Sequence, residues 1–194
     1  MRVIAGKFRS RVLSSLPGTN IRPTGDRLRE TLFNVLMAGN PAAFEDTIWL
    51  DLFAGTGAVG IEALSRGAAE VHFVESSAAA VDIIRQNLKS LLIDSGFEVL
   101  QQEVTRALPR FASSGVTADF VFLDPPYRIE AAYQQTLELL AASTLVTAAT
   151  VVIAEHQKRF DPGDQFGELK RYRTLRQGDA ALSLYRRVSL PGSC

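Results

Sequence analysis

Apolar and polar positions along the chain fall into two regimes. Between about residues 47 and 155, short apolar runs alternate with segments in which apolar side chains recur every three or four residues. The runs predict strands at 47–51, 71–75, 97–101, 119–124 and 150–155, and the periodic segments predict helices at 57–66, 78–92, 104–111 and 130–142. Val81, Ile84, Leu88 and Leu91 form the clearest helical stripe. Strands and helices alternating at this spacing imply right-handed βαβ units, and hence a parallel sheet covered on both faces. The flanks differ. Two strand-like runs, 169–175 and 181–187, are separated by Gln177-Gly178-Asp179, which predicts a hairpin at an antiparallel edge.

At the other end, residues 2–13 alternate loosely around Gly6, which suggests a small β-hairpin, and Pro17-Gly18 marks a loop. A helix is expected from Asp26 to Met37, capped by Thr24 and ended by Gly39-Asn40-Pro41. Leu28, Leu32, Val35 and Leu36 would face the core, with Arg27 and Arg29 off that face. The expected organisation is a basic extension over 1–20 and one α/β domain over 21–190. If the extension packs only at the surface, removing residues 2–13 should leave a folded core.

Composition narrows the class. A chain of 194 residues with 46% hydrophobic side chains can bury one good core. The single cysteine, Cys194, excludes an internal disulfide framework, and His72 and His156 lack the clustered partners of a metal site. No apolar run reaches the ~20 residues of a membrane helix, and the first residues turn polar too soon for a secretory signal. A soluble, cytoplasmic monomer without a metal is expected. The formal net charge is zero, but residues 1–30 carry seven basic side chains against two acidic ones, an excess of +5. Such a segment suits RNA phosphates, which Arg and Lys grip without reading sequence; a solvated basic face is the alternative. Arg2, Lys7, Arg9, Arg11 and Arg27 are the candidate contacts.

The stretch Asp51-Leu52-Phe53-Ala54-Gly55-Thr56-Gly57-Ala58-Val59-Gly60 joins the first predicted strand to a helix. Glycines at such a turn let backbone amides approach a ligand, although a tight turn without one has the same pattern. Glu75 ends the next strand, about 20 residues on, where a carboxylate can accept hydrogen bonds from a ribose. Asp51 at the strand mouth would repel a pyrophosphate and attract a cationic amino-acid moiety, which favours S-adenosylmethionine over a nicotinamide cofactor. The run 119–123 ends in Asp124-Pro125-Pro126-Tyr127. Two prolines stop the strand and stiffen a loop at the edge where open α/β sheets bind ligands.

Together the Phe53-Ala54-Gly55-Thr56-Gly57 turn and the Asp-Pro-Pro-Tyr loop resemble those of S-adenosylmethionine-dependent methyltransferases acting on exocyclic amines. The head of the chain, from Arg2 to Arg11, then Arg22-Pro23-Thr24 and Asp26 to Asn34, resembles the RsmD-type enzymes of 16S ribosomal RNA guanine-N2 methylation, and Glu62 to Ala68 fits the same family. The resemblance runs from Arg2 to about Tyr185. It implies a Rossmann-like class I methyltransferase with seven strands in the order 3-2-1-4-5-7-6, acting on RNA within the small ribosomal subunit. It adds Arg22 and Thr24 to the RNA contacts. It assigns Asp51, Phe53, Ala54, Gly55, Thr56, Gly57, Glu75, Ser76, Glu103 and Val104 to the cofactor, and Asp124, Pro125, Pro126 and Tyr127 to the chemistry. With an ordinary pKa of ~3.9, Asp124 is expected to be an ionised acceptor, and Tyr127 to stack on the target base. An adenine-N6 methyltransferase and a non-catalytic RNA-binding protein of the same fold are the competing expectations. His156, after the fifth strand, is expected to be structural.

Overall fold

A computed structural model describes residues 1–15, 23–126 and 128–188, with only the backbone given for Pro23 and Thr24. Five parallel strands, β1 (Ile48–Leu52), β2 (Glu70–Glu75), β3 (Phe97–Gln101), β4 (Ala118–Leu123) and β5 (Val146–Gln157), are followed by β6 (Gln165–Phe166), β7 (Leu169–Gln177) and β8 (Ala180–Arg187). They form one sheet in the order β3-β2-β1-β4-β5-β8-β7-β6, in which β5, β8, β7 and β6 pair antiparallel. The expected order holds, with β7 and β8 as the sixth and seventh strands. The expected count of seven does not: among the described residues there are eight. The additional β6 contributes two residues that fold back on Leu169 and Lys170, too few to carry a periodic signal. The fifth strand also begins earlier than expected, because the exposed Thr147-Ala148-Ala149 has no apolar alternation to mark it.

Helices α1 (Pro23–Leu36), α2 (Ala58–Ser65), α3 (Ala78–Ser90), α4 (Val104–Ser113) and α5 (Glu130–Ala141) cover the sheet. One face packs against α1, α2, α3 and the N-terminal segment, the other against α4 and α5. The predicted α3 stripe of Val81, Ile84, Leu88 and Leu91 is buried. Under α1, Phe33 stacks on Trp49 with ring centroids 5.3 Å apart, and Trp49 stacks on Phe120 at 4.5 Å.

Two expectations for α1 fail. The helix starts at Pro23, so Thr24 lies inside the first turn rather than capping it; proline suits that position because its missing N–H has no helical partner there. Arg29 does not lie off the buried face: it is 6% exposed, and Phe33, four residues on, is fully buried. The helix is covered across a wider arc than one stripe, since the N-terminal segment lies against it as well as the sheet.

That segment is not a regular hairpin. A single antiparallel bridge, Arg2 to Val12, closes a turn-rich loop, in which Val3 N donates to Arg11 O and Leu13 N to Met1 O. Nor is it confined to the surface. Val3 and Leu13 enter the core, and the buried carboxylate of Glu62 on α2 accepts from Ile4 N (2.7 Å), Ala5 N (3.0 Å) and Arg66 Nε (2.7 Å). Gly6 has φ +81°, and a Cβ there would fall 1.8 Å from Ser65 O, so only glycine permits this approach. The condition under which residues 2–13 could be removed without harm is therefore not met: their deletion would take two amide donors from Glu62 and uncover the core. The boundary at residue 20 lies outside the described residues.

Candidate active site

The parallel strands converge on one edge, and their ends bring four carboxyl groups to it: Asp51 from β1, Glu75 from β2, Asp124 after β4 and Glu155 from β5. Leu123 pairs with Ala154, so Asp124 and Glu155 follow side by side, and Asp124 N extends the ladder to Leu52 O. The turn from β1 into α2 is built as its glycines require. Gly55 has φ +56°, and the space where its Cβ would stand is open, with only Phe53 O within 4 Å. A Cβ on Gly57 would meet Ile84 and Phe73 at 3.3 Å, and one on Gly60 would reach Phe73 at 2.4 Å. One glycine leaves room for a ligand, and the other two let the loop and α2 press onto their neighbours. Phe53 itself has φ +59°, a conformation uncommon for a bulky residue and typical of functional turns.

The carboxylates are held differently. Glu75 accepts from Gly55 N and Ser77 N, both at 2.9 Å, which ties the end of β2 to the glycine turn while each oxygen keeps a further lone pair. Asp51 is 2% exposed and accepts from Gly60 N at 2.9 Å. Burial is the main reason its carboxyl is pushed up to about 7, with Glu75 adding to the rise and the Gly60 bond and Arg29 opposing it. Glu155 is raised to about 7, again chiefly by burial, with the Arg29 charge opposing. Asp124 is driven well above the usual carboxylate range by burial and then by the charges of Glu155 and Asp51. The expectation of an Asp124 with an ordinary pKa is therefore corrected: three acids crowd one edge, and burial and their mutual repulsion disfavour full ionisation of all three.

Other predicted residues fall around this edge. Ser76 is exposed in the turn after Glu75, Glu103 is exposed at the N-cap of α4, and Val104, buried, supplies that helix's first amide. Pro125 is buried and Pro126 exposed. Tyr127 lies outside the described residues. His156 is structural: its Nδ1–H donates to Gln157 O and its Nε2 accepts from Ser183 Oγ, both at 2.9 Å, and burial lowers its pKa. Among the described residues, no group of three or more His, Cys, Asp or Glu side chains is arranged to hold a metal. No described helix is long and apolar enough to cross a membrane.

The predicted RNA contacts form a separate surface. Arg2, Lys7, Arg9, Arg11 and Arg27 are exposed, and Arg2, Arg9 and Arg27 line a groove of about 460 Å³ together with the acids Asp26 and Glu30. Arg22 and the side chain of Thr24 lie outside the described residues. This surface reaches the glycine turn: Met1 Sδ is 3.6 Å from Thr56 Oγ1, and Asn87 Nδ2 donates to both Thr56 O and Ser14 O.

Sequence reasoning missed four residues. Glu155 was legible as the last residue of a predicted strand on the ligand edge. Asn87 stands on the apolar stripe of α3, a buried polar residue whose position called for a partner. Arg29 was hidden by reading α1 as one stripe. Tyr133 gave no signal; its hydroxyl donates to Glu155 O at 2.8 Å and lies 3.5 Å from Pro125 O, joining β5 to the Asp-Pro-Pro loop.

The family described as Conserved hypothetical protein 95 matches residues 1–186. Ribosomal RNA small subunit methyltransferase D of Haemophilus influenzae is 36% identical over 159 residues, 81% of this chain and 79% of its own length. The Bacillus subtilis protein YlbH is 33% identical over 187 residues, 96% of this chain and 99% of its own. The solved structure of yhhF from Escherichia coli is 32% identical, with a TM-score of 0.79 covering 98% of this chain and 99% of that one. The glycine turn, the Asp-Pro-Pro loop and the docked N-terminal segment are thus those of a chain that belongs to this family, the RsmD-type methyltransferases.

Proposed function

We propose that this chain transfers the methyl group of S-adenosylmethionine to the exocyclic N2 amine of a guanine in small-subunit ribosomal RNA, in the cytoplasm and as a monomer. The observation that carries the reading is the crowd of carboxyl groups at the strand ends, one of which, Glu75, is bonded to the open glycine turn at Gly55. A cationic cofactor would balance Asp51, Asp124 and Glu155, whose ionisation burial and mutual repulsion disfavour, and Glu75 has lone pairs left for ribose hydroxyls. The residues therefore fit S-adenosylmethionine, which when bound supplies an electrophilic methyl on a sulfonium. Asp51 would hold its cationic amino-acid end and Glu75 its ribose, with the Phe53–Gly57 backbone available to approach it.

The guanine amine is a weak nucleophile because its lone pair is delocalised into the ring. Asp124 and the carbonyl of Pro125 are acceptors for its two hydrogens, and their bonds strengthen as positive charge develops on nitrogen. Asp124 beside Glu155 is also suited to take the amine proton, since burial and the neighbouring carboxyl charges raise its affinity for one. The Tyr133 hydroxyl, between Pro125 O and Glu155 O, keeps the acceptor pair in register. Alignment of this kind can contribute about 7–11 kcal/mol to the barrier. The exposed arginines of the N-terminal segment would grip the RNA backbone beside this edge.

The test is nucleoside mass spectrometry of small-subunit RNA and of assembled subunits after incubation with the purified chain and S-adenosylmethionine. N2-methylguanosine is expected. N6-methyladenosine would move the substrate to adenine, and no methylated nucleoside from either substrate would contradict the reading.

A further inference from the structure

The N-terminal segment is not the only basic surface. Residues 169–188, which span β7 and β8, carry six basic side chains and one acid, Asp179. Two of the six are engaged: Arg171 pairs with Asp161 and Asp164, and Arg187 with Glu168 and the carbonyls of Ala141 and Ser143. Lys170, Arg173 and Arg186 are exposed and make no ion pair among the described residues. They share a face. Lys170 is directly opposite Arg186, and Arg173 is opposite Leu184, whose side chain enters the core layer under α1. Like charges directly opposed across strands are destabilising, so the fold gains nothing from the Lys170–Arg186 pair.

Tyr172 stands among them, at the irregularity in register between Arg171 and Arg173. Its ring is 49% exposed, and the Arg186 guanidinium lies over it, 5.2 Å from the centroid. Burial pushes its phenol up, while the charges of Arg186 and Arg173 pull it down. Tyr172, Arg173 and Arg186 border a groove of about 330 Å³ whose wall includes Val35, Leu36 and Phe120. Asp119 also lines it, but one of its oxygens is taken by Ile48 N at 2.8 Å. Thr47, Asp119 and Ala149 lie at the amino-terminal ends of β1, β4 and β5, so the groove opens at the opposite end of the sheet from the carboxyl groups.

We propose that this face is a second RNA-binding site, which takes an unpaired nucleotide with its base stacked on Tyr172 and its flanking phosphates on Lys170, Arg173 and Arg186. The ligand's identity rests on the ribosomal RNA reading; the second contact goes beyond it. Charge favours a polyanion, and a half-exposed ring beside the Arg186 guanidinium, in a groove that Arg173 also lines, gives a base a stacking surface that accepts any sequence. A site at the far end of the sheet from the methyl-transfer edge would let the enzyme hold a large folded RNA at two places.

The test uses the full chain and a fluorescein-labelled 12-residue oligouridylate, with affinity measured over a range of salt concentrations. Lys170→Gln/Arg173→Gln/Arg186→Gln should flatten the salt dependence by about two units of slope, at roughly 0.7 per lost contact on a single strand. Tyr172→Ala should weaken binding roughly fivefold to 100-fold, and Tyr172→Phe should leave it unchanged, since stacking needs only the ring. Unchanged affinity and slope in the triple variant would overturn the proposal. So would an equal loss in Tyr172→Phe and Tyr172→Ala, or loss of polyglutamate binding with oligouridylate binding intact. Wild-type affinity for S-adenosylhomocysteine confirms that each variant is folded. Nucleoside methylation is scored separately: a chain that binds oligouridylate through this face yet methylates no RNA would sink the proposed function and leave the site standing.

Discussion

Two regions of the molecule bury carboxylates and use them in opposite ways. Beneath the N-terminal segment, Glu62 has no exposure, yet Arg66 Nε and two backbone amides satisfy it, and Arg29 Nε lies 3.9 Å away. At the ligand edge, Asp51, Asp124 and Glu155 crowd together; the Arg29 charge opposes the rise of Asp51 and Glu155, and among the described residues no cation opposes that of Asp124. The first group is balanced within the chain and serves as an anchor. The second is only partly compensated among the described residues, and the proposed cationic cofactor would complete it. Burial alone does not mark a functional acid; a deficit of compensating charge does.

The comparison breaks most visibly at Glu62. Glu62→Ala leaves Arg66 and two amides without their acceptor, and loss of one partner of a buried ion pair costs about 3–5 kcal/mol. A fall of that size should appear in denaturant unfolding; a loss below about 1 kcal/mol would return the N-terminal segment to the surface. Glu75 tests the other region. Glu75→Ala should weaken S-adenosylmethionine and S-adenosylhomocysteine alike by about 1.5–3 kcal/mol, the worth of hydrogen bonds to a charged group. Equal affinity in calorimetry would take Glu75 out of the site.

The pH dependence sharpens the same contrast. Asp51 and Glu155 have folded pKa values of about 7 against ordinary values of 3.8 and 4.5. A raised folded value means that the native state holds protons the unfolded chain has lost. Their contribution to stability is present below about pH 4 and is lost as pH rises through about 7. A cationic ligand reverses this preference, so S-adenosylmethionine should release protons on binding at pH 6 and bind more tightly towards pH 7.5. Calorimetry in two buffers of different ionisation enthalpy reads the release; proton uptake would contradict the assignment. The smallest effect is expected at the exposed cations. Arg9→Ala/Arg11→Ala should flatten the salt dependence of RNA binding by roughly one to two units of slope, with cofactor affinity unchanged. A slope that does not move would return these arginines to the solvent.

The parallel core was legible because each strand and each helix stripe there carries a local period. The antiparallel hairpin and the strand order were legible too, the order through the resemblance. What escaped depends on contacts distant in sequence. Arg29 is buried because residues 1–15 cover it, and Val3 enters the core because Glu62, 59 positions on, receives the neighbouring amides. The raised pKa of Asp124 could not be read from its own loop, since it arises from burial in the folded edge and then from Glu155 and Asp51 on two other strands. Glu155 and Asn87 were within reach: the first ends a strand on the edge that had already been singled out, and the second is a polar residue on the apolar stripe of α3.

The most direct test of the account measures Asp124→Ala in two ways. Its place between a substrate amine and an acid-crowded edge predicts a fall in kcat of about 10²–10³-fold, the usual cost of removing one group that stabilises transition-state charge. Calorimetry on the same variant should show cofactor affinity retained, because Asp51 and Glu75 remain. Near-normal turnover, or lost turnover explained by lost cofactor binding, would contradict it.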